Sequence, residues 1–210
     1  MSIWTARLIA PGGHANTGGL IDRSSIGSLG PLLRGVPVCA HWTDDGFTHP
    51  SPGAPGYCAV DREAIIGMVC ETRPMPDGIH GVLSIGESPT PVGAALAAVV
   101  NRLLLTAERR GRLVETLGLS VHGVAHDFPR DDGEISLWWT KVFSLDVVDR
   151  PLSGGHFIQS DMAERAGAAV PALPTLIPRT AREGRAARPL RYVHEALSTE
   201  FHVIPEGADY

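Results

Sequence analysis

Two neighbouring segments of alternating polarity constrain the fold of this chain more than any other feature. In LGLSVHGV, which begins at Leu117, apolar and polar residues alternate, and ISLWWTKVFSLDVV, which begins at Ile135, continues the pattern for longer. The PRDDGE segment between them contains an Asp-Gly step, which is typical of tight hairpin turns. Because side chains alternate between the two faces of a strand, this pattern predicts a long antiparallel hairpin.

Other strands and one helix are predicted around this hairpin. GVPVCAHW, AIIGMVCET and IHGVLSI have the composition of strands. RLIAPGGHANTGGLIDRSS is predicted as a short strand followed by a long loop, and TDDGFTHPSPGAPG is predicted as a loop. After Pro91, apolar residues recur at spacings of three and four, which predicts a helix with this stripe towards the core. The stripe consists of Val92, Leu96, Val99, Leu103 and Ala107. Together these elements predict an α+β protein.

The composition divides the chain into two parts. Residues 1–160 have the balance of a folded domain, whereas residues 161–210 begin with a stretch rich in Ala, Pro and Arg that is typical of a flexible linker or tail. LRYVHEALSTEFHVI, near the end, is compatible with either a short helix or a disordered tail.

Charge and cysteine content narrow the class of protein. A net charge of −5 disfavours nucleic acid as a partner, because phosphate binding needs a basic face. Three cysteines do not make a disulfide framework, so we expect a reducing, cytosolic compartment. The N-terminus lacks the pattern of a signal peptide, and VGAALAAVVNRLLL is interrupted by Asn101 and Arg102, so we expect no membrane partner.

Ser120 is a candidate nucleophile on the polar face of the predicted hairpin. A serine nucleophile needs a base within hydrogen-bond reach and a third group that orients this base. Asp146 lies on the same side of the hairpin, and counting residues from the turn places it diagonal to Ser120, whose direct partner falls within 141–144. The G-x-S-x-G elbow of the α/β-hydrolases is absent, so the local pattern alone also fits an ordinary strand serine.

A family resemblance gives these residues further meaning. LGLSVHG followed by VFSLDVVDRPLSGGHF resembles the paired signature of the prohead maturation proteases of tailed phages, which are similar in fold to the herpesvirus assemblins. LLRGVPVCAHW, FTHP, IIGMV, DGIHGVLSI and an amphipathic helix precede the serine in the order of that family, so the resemblance covers residues 1–160. It implies a mainly antiparallel β-barrel with surrounding helices, and no cofactor.

The resemblance also implies roles for individual residues. Ser120 matches the nucleophile of the family and Asp146 matches its third residue. The base is a histidine before IIGMV, and both His49 in FTHP and His41 in VCAHW fit; we favour His49.

Two further histidines are weaker candidates for the base. His80 faces away from the apolar stripe of its strand and is better interpreted as a solvent-facing residue. His122 is on the same strand face as Ser120, but two residues span about 6–7 Å of strand, which is too far for direct contact with the hydroxyl.

The implied function is that of a serine endopeptidase acting during maturation of a phage or prophage head. Its substrates are then the scaffolding protein and the major capsid protein, inside the prohead in the bacterial host cytoplasm, and self-cleavage of the chain is compatible with this role. Self-association is compatible with this role. The alternative is a catalytically inert capsid assembly or scaffolding protein with the same fold.

Metal and thiol chemistry find less support in the sequence. Cys39, His41, His49, Cys58 and Cys70 are near one another along the chain, but none forms the paired C-x-x-C or H-x-x-x-H spacing of structural zinc sites. None of the cysteines has the sequence context of a nucleophile, so buried structural thiols are the better interpretation. We therefore predict no metal site.

Overall fold

Strands account for most of the regular structure. The computed structural model describes residues 1–12, 19–50, 54, 56–151, 153–161 and 190–194, which form nine strands and three helices. The strands are β1 (Ser2–Ile9), β2 (Pro37–Thr43), β3 (Gly46–Thr48), β4 (Ile65–Met75), β5 (Gly78–Ile85), β6 (Gly118–Pro129), β7 (Ile135–Val148), β8 (Gly155–Ser160) and β9 (Leu190–His194). The helices are α1 (Arg23–Leu33), α2 (Pro91–Arg109) and α3 (Leu113–Thr116).

Seven of the strands close into a barrel. Their order is β2-β4-β5-β1-β8-β6-β7, and β7 pairs back onto β2. All neighbours are antiparallel except β2 and β7, which are parallel, so the barrel is mixed. Closure removes the unpaired edges that an open sheet of this size would expose. The predicted α+β barrel is thereby confirmed at the level of its architecture.

The barrel interior is apolar and is covered from outside by helices. Trp4 and Phe157 meet edge to face in the core, with ring centroids 5.7 Å apart. Helix α1 packs against β4 and β7, and α2 against β4 and β8. Fully buried core residues include Leu8, Ile66, Val69, Leu83, Ile85, Leu119, Val121, Leu145 and Val147.

The predicted buried face of α2 is wrong by about one residue. The buried positions are Gly93, Ala97, Val100, Leu104 and Ala107, whereas most of the predicted stripe is exposed: Val92 by 49%, Val99 by 48% and Leu103 by 39%. The cause is a close approach of the helix to the barrel. A Cβ atom at Gly93 would lie 2.3 Å from the carbonyl oxygen of Ile65, so the helix turns its small residues inward.

By length and composition, α2 is the one helix in the described part of the chain that could cross a membrane. The core helices of many proteins have the same length and composition, and the face of α2 that carries Ala97 and Leu104 is packed against the barrel.

Helix α1 lies partly in a segment predicted as loop, and its N-terminus is strongly capped. The carboxylate of Asp22 accepts hydrogen bonds from the backbone N–H groups of Ser24 and Ser25, and the Ser25 hydroxyl accepts one from the N–H of Asp22. The stabilisation from this capping box offsets the unfavourable helix propensity of the two glycines and the proline inside the helix. The same carboxylate also accepts from Ser136 on β7 and from Arg130, so it ties α1 to the barrel.

We expect Asp22→Ala to lower the free energy of unfolding by about 2 kcal/mol, since it removes a helix cap and two bonds to the hairpin. Partial burial raises the pKa of Asp22, but hydrogen bonds from Ser24, Ser136 and Ser25 outweigh this and lower it to about 2, from an ordinary 3.8. Because the pKa is depressed in the folded protein, ionised Asp22 contributes fully to the free energy of unfolding above pH 3.8. This contribution is lost as the pH falls through 2. Urea unfolding at several pH values measures the loss of stability in Asp22→Ala. Asp44→Ala, at an exposed position, is the control, and equal stability of the two variants would contradict the expectation.

Two β-bulges set the register of the β6–β7 hairpin. Near the turn Pro129 pairs with Ile135, and beyond the bulges Ser120 pairs with Asp146. The register shifts between Val124 and Ala125 and again between His122 and Gly123, each time by one extra residue on β7. The diagonal placement of Asp146 that residue counting predicts is therefore wrong, and Asp146 lies directly opposite Ser120.

Gly123 makes the second bulge possible. A Cβ atom at this position would lie 2.3 Å from the carbonyl oxygen of Lys141, which is backbone and cannot rotate away. We expect Gly123→Ala to destabilise the protein by about 2 kcal/mol. Gly27 is exposed on α1, and a Cβ atom there would have no neighbouring atom within 4 Å. Gly27→Ala should therefore stabilise the protein by about 0.5–1 kcal/mol. Thermal unfolding of the two variants tests this contrast, and a neutral Gly123→Ala would refute the steric account of the bulge.

Two further segments differ from their predicted states. Gly46–Thr48 in the predicted loop forms β3, a short hairpin partner of β2. Leu190–His194 forms β9, which pairs with β6, so these residues are a strand where the sequence allowed a helix or a disordered tail. The remainder of the predicted linker and tail lies outside the described residues, as do residues 13–18 of the predicted N-terminal loop.

Candidate functional site

A row of three buried polar residues crosses the barrel where β6, β7 and β2 lie side by side. Asp146 on β7 pairs directly with Ser120 on one side and with Cys39 on the other. Direct partners project to the same face of a sheet, and here this face is opposite to that of the core residues Leu145 and Val147. All three polar residues are nevertheless fully buried, because other segments cover them.

His49 reaches this row from the end of β3. The β2–β3 hairpin pairs His41 with Thr48, which brings the next residue over the barrel wall. Phe47 anchors the hairpin: it is buried, its ring contacts Trp42 edge to face, and its backbone N–H donates to the carboxylate of Asp149 at 3.1 Å. His49 is thus held by a short strand within the segment that the sequence pattern describes as loop.

His49 and Asp146 form a buried pair. Nδ1 of His49 lies 2.5 Å from Oδ2 of Asp146, and both side chains are nearly inaccessible to solvent. Because an ionised carboxylate only accepts hydrogen bonds, Nδ1 carries the proton and donates it. In the neutral ring, Nε2 is then the basic nitrogen, which is the tautomer that a general base requires.

His122 adds a second imidazole beside this pair. Its Nε2 lies 2.9 Å from the carbonyl oxygen of Tyr57, so Nε2 is the donor. Its Nδ1 lies 3.4 Å from the hydroxyl of Ser144 and 3.9 Å from Oδ2 of Asp146. The rings of His122 and His49 are 5.9 Å apart. His122 therefore packs beside the pair and is fixed by the segment that carries Tyr57.

Burial and charge define the protonation states around Asp146. Burial alone would raise the pKa of Asp146, but the charge and hydrogen bond of His49, with smaller effects from His122 and His41, bring the pKa below its ordinary value. Burial lowers the pKa of both His122 and His41, which outweighs the attraction of Asp146. At neutral pH the centre therefore holds an ionised carboxylate with neutral His122 and His41 beside it.

The structure brings the predicted site residues to one region of the barrel. Ser120 and Asp146 are direct partners in the ladder, and His49 is the histidine whose ring bonds to Asp146. His41 also lies close, since its ring and the side chains of Cys39 and Asp146 place their ligand atoms within 4.8 Å of one another. The choice of His49 as the base stays a prediction about chemistry.

Two other histidines, His80 and His122, make contacts outside the predicted set of site residues. His80 lies on β5, where its Nε2 is 3.0 Å from a carboxylate oxygen of Asp77, away from the Ser120 region. The contacts of His122 with Tyr57 and Ser144 were not predicted. The position of His122 two residues from Ser120 was the only sequence signal for these contacts. Tyr57 and Ser144 lie in distant segments of the chain, so the sequence does not indicate them as partners.

Comparison with known proteins found no matching family model, no matching curated protein and no matching solved structure. Inference about function therefore rests on the residues of the chain and on their geometry.

Proposed function

We propose that this protein is a serine endopeptidase in which Ser120 is the nucleophile, His49 the general base and Asp146 the residue that orients the base. The observation that carries the proposal is the geometry of Asp146: its carboxylate binds Nδ1 of His49, and it lies directly opposite Ser120 in the β6–β7 ladder. The three residue types form a nucleophile, base and orienting group, as acyl transfer requires.

The chemistry follows from the tautomer of His49. Nε2 accepts the proton of the Ser120 hydroxyl while Oγ attacks the carbonyl carbon of a peptide bond. The imidazolium that forms is stabilised by Asp146 and returns the proton to the leaving amine, which leaves an acyl group on Ser120. Water, activated by the same imidazole, then hydrolyses the ester and restores the hydroxyl. Backbone N–H groups would stabilise the oxyanion in both steps.

Substrates are proposed from the resemblance to prohead maturation proteases. The two segments that carry it, LGLSVHG and SLDVV, lie in the paired strands β6 and β7, so they are neighbours in space as well as in the motif order. The seven-stranded barrel with helices outside is compatible with an assemblin-like fold. On this basis the substrates are the scaffolding and major capsid proteins, cleaved inside the prohead in the bacterial host cytoplasm, without a cofactor.

Strand β9 supports an extended peptide as the kind of substrate. It adds to β6 in antiparallel fashion over His122–His126, beyond the part of β6 that pairs with β8. Strand addition satisfies the backbone of an extended peptide whatever its side chains are. His194, the last residue of β9, pairs with His122, only two residues from Ser120. A chain segment is thus already bound along the strand of the proposed nucleophile.

Burial of the centre favours the second candidate function, an inert capsid assembly or scaffolding protein. Ser120, His49 and Asp146 are all buried, so a peptide carbonyl reaches Ser120 only after a covering segment moves. An assembly protein would need no such movement. The two functions differ in whether Ser120 reacts.

Co-expression with candidate scaffolding and major capsid proteins tests the proposed function. The expected result is that one or both are shortened by the wild-type protein and stay intact with Ser120→Ala. If neither protein is cut although heads assemble, the inert assembly protein is the correct interpretation. If Ser120→Ala cuts as well as wild type, the nucleophile is a different residue.

We also expect the chain to cleave itself on the C-terminal side of His194, because β9 leads the chain towards Ser120. Intact-mass measurement of purified protein should show loss of a C-terminal peptide from the 22.3 kDa wild-type chain and the full mass for Ser120→Ala. Equal masses for both proteins, whether full or shortened, would contradict self-cleavage by Ser120.

A further inference from the structure

Three residues with metal-binding side chains converge beside the proposed catalytic pair. Cys39 and His41 lie two positions apart on β2, and Asp146 comes from the neighbouring strand β7. One thiol, one imidazole nitrogen and one carboxylate oxygen from this group lie within 4.8 Å of one another. Sequence spacing does not reveal the group, because its third member is joined to the others only by the parallel pairing of β2 with β7.

One oxygen of the Asp146 carboxylate can still bind a ligand. Its Oδ2 accepts the hydrogen bond from His49, whereas its Oδ1 is buried and has no hydrogen-bond partner among the residues that the structure describes. An unsatisfied buried carboxylate oxygen costs free energy, and a cation bound to Oδ1 would remove this cost while leaving the bond to His49 intact.

A second carboxylate, that of Asp61, adds negative charge near His41. Gly56, which has a φ of +90°, fits between His41 and Asp61: a Cβ there would lie 3.2 Å from Cε1 of His41 and 2.9 Å from Cβ of Asp61. Asp61 therefore lies near the ring of His41, where a carboxylate commonly orients a metal-binding imidazole. His41 is only partly buried, which gives a cation access from the surface.

We propose that Cys39, His41 and Asp146 form a binding site for a divalent zinc-class cation. Thiolate, imidazole and carboxylate together suit Zn²⁺ and disfavour Mg²⁺ and Ca²⁺, which prefer oxygen ligands. On binding, the S–H bond of Cys39 breaks, the sulfur bonds to the metal, and the proton passes to solvent; a water completes the fourth position. Tetrahedral zinc holds its ligand atoms about 3.3–3.5 Å apart, so side-chain rotation must shorten the widest gap by about 1 Å.

The site has a regulatory consequence that rests on the proposed function. A cation on Oδ1 would withdraw negative charge from the carboxylate that supports the imidazolium form of His49. Zinc binding is therefore expected to suppress hydrolysis and chelation to restore it, whereas binding itself needs neither Ser120 nor turnover.

Zinc titration of the full-length protein against a chromogenic chelator tests the site directly. We expect one equivalent of Zn²⁺ to bind the wild type, and Cys39→Ser and His41→Asn each to weaken this binding by about 100-fold. Cys70→Ser and Cys58→Ser are matched controls, because these thiols lie outside the group, and both should bind as the wild type does. Absence of zinc binding to the wild type, or undiminished binding by Cys39→Ser, would overturn the proposal.

Cobalt and a Ser120 variant separate this proposal from the proposed function. Co²⁺ in the site should produce a thiolate-to-metal charge-transfer band that Cys39→Ser lacks and Ser120→Ala retains. If the band persists in Cys39→Ser, the assigned sulfur ligand is wrong. A wild-type protein that binds zinc through Cys39 but hydrolyses nothing in its metal-free form would keep the metal site and refute the protease.

Discussion

Replacement of Ser120 by alanine is expected to abolish proteolysis, with a loss in turnover on the order of 10⁶-fold. The reason is that the hydroxyl oxygen of Ser120 forms the acyl bond, and the alanine side chain has no atom that can form it. The barrel should still fold, because alanine is smaller than serine and fits the same strand position. The rate of cleavage of the scaffolding or capsid protein measures the effect.

Ser84→Ala is the matched control for this prediction. Ser84 is also a buried barrel serine, but it lies on β5, where its hydroxyl contacts the carbonyl oxygen of Met68 at 3.5 Å. We expect this variant to cleave at the wild-type rate. Comparable rates for Ser120→Ala and Ser84→Ala would mean that Ser120 is a structural serine.

Asp146→Asn should give the second-largest effect, a fall in turnover of about 10⁴-fold. The carboxylate accepts the Nδ1 proton of His49, whereas an amide NH₂ in its place would favour the tautomer with the proton on Nε2, which cannot act as a base. The amide also removes the charge that stabilises the imidazolium. The interactions of the charged carboxylate outweigh its desolvation in the folded protein, so we also expect the amide to lower the thermal stability, and turnover is therefore compared below the unfolding transition.

Separate measurement of turnover and of thermal unfolding distinguishes this role from a structural one. Asp77→Asn is the control, because Asp77 also contacts an imidazole, that of His80, but on the far strand β5. Its turnover should match the wild type. A loss of activity in Asp146→Asn that only follows a loss of folded protein would show that Asp146 serves the fold and not the reaction.

Local sequence patterns predict the elements of this fold better than their mutual placement. Alternation around the Asp-Gly step predicts the β6–β7 hairpin, but it cannot locate the bulges that bring Asp146 opposite Ser120. The second bulge depends on the close backbone approach at Gly123, which a count of residues from the turn does not contain. A glycine inside a predicted strand is a sequence signal for a bulge, and Gly123 provides this signal here.

The helices show the same limit. For α2, the apolar stripe gives the correct type of element, but the contact with the barrel selects the face with Gly93 and Ala97, because close backbone approach excludes larger residues. For α1, glycine and proline hide the helical pattern, although the Asp22–Ser25 capping box was present in the sequence as a start signal.

Much of the candidate site was named from the sequence, but through the family resemblance and not through the pattern alone. The resemblance points to Ser120, His49 and Asp146, which the structure then places in one region. The group of Cys39, His41 and Asp146, for which we propose zinc binding, was not predicted as a unit, because Asp146 meets the other two through a parallel pairing of distant strands that no local spacing encodes.

Mass-spectrometric mapping of the residue that a small fluorophosphonate probe modifies in the folded protein tests whether Ser120 is the nucleophile. We expect a single adduct on Ser120 in the wild type and almost none in His49→Ala, because the hydroxyl needs the imidazole as its base. A folded wild-type protein that carries no adduct, or carries it on a different residue, would contradict Ser120 as the nucleophile.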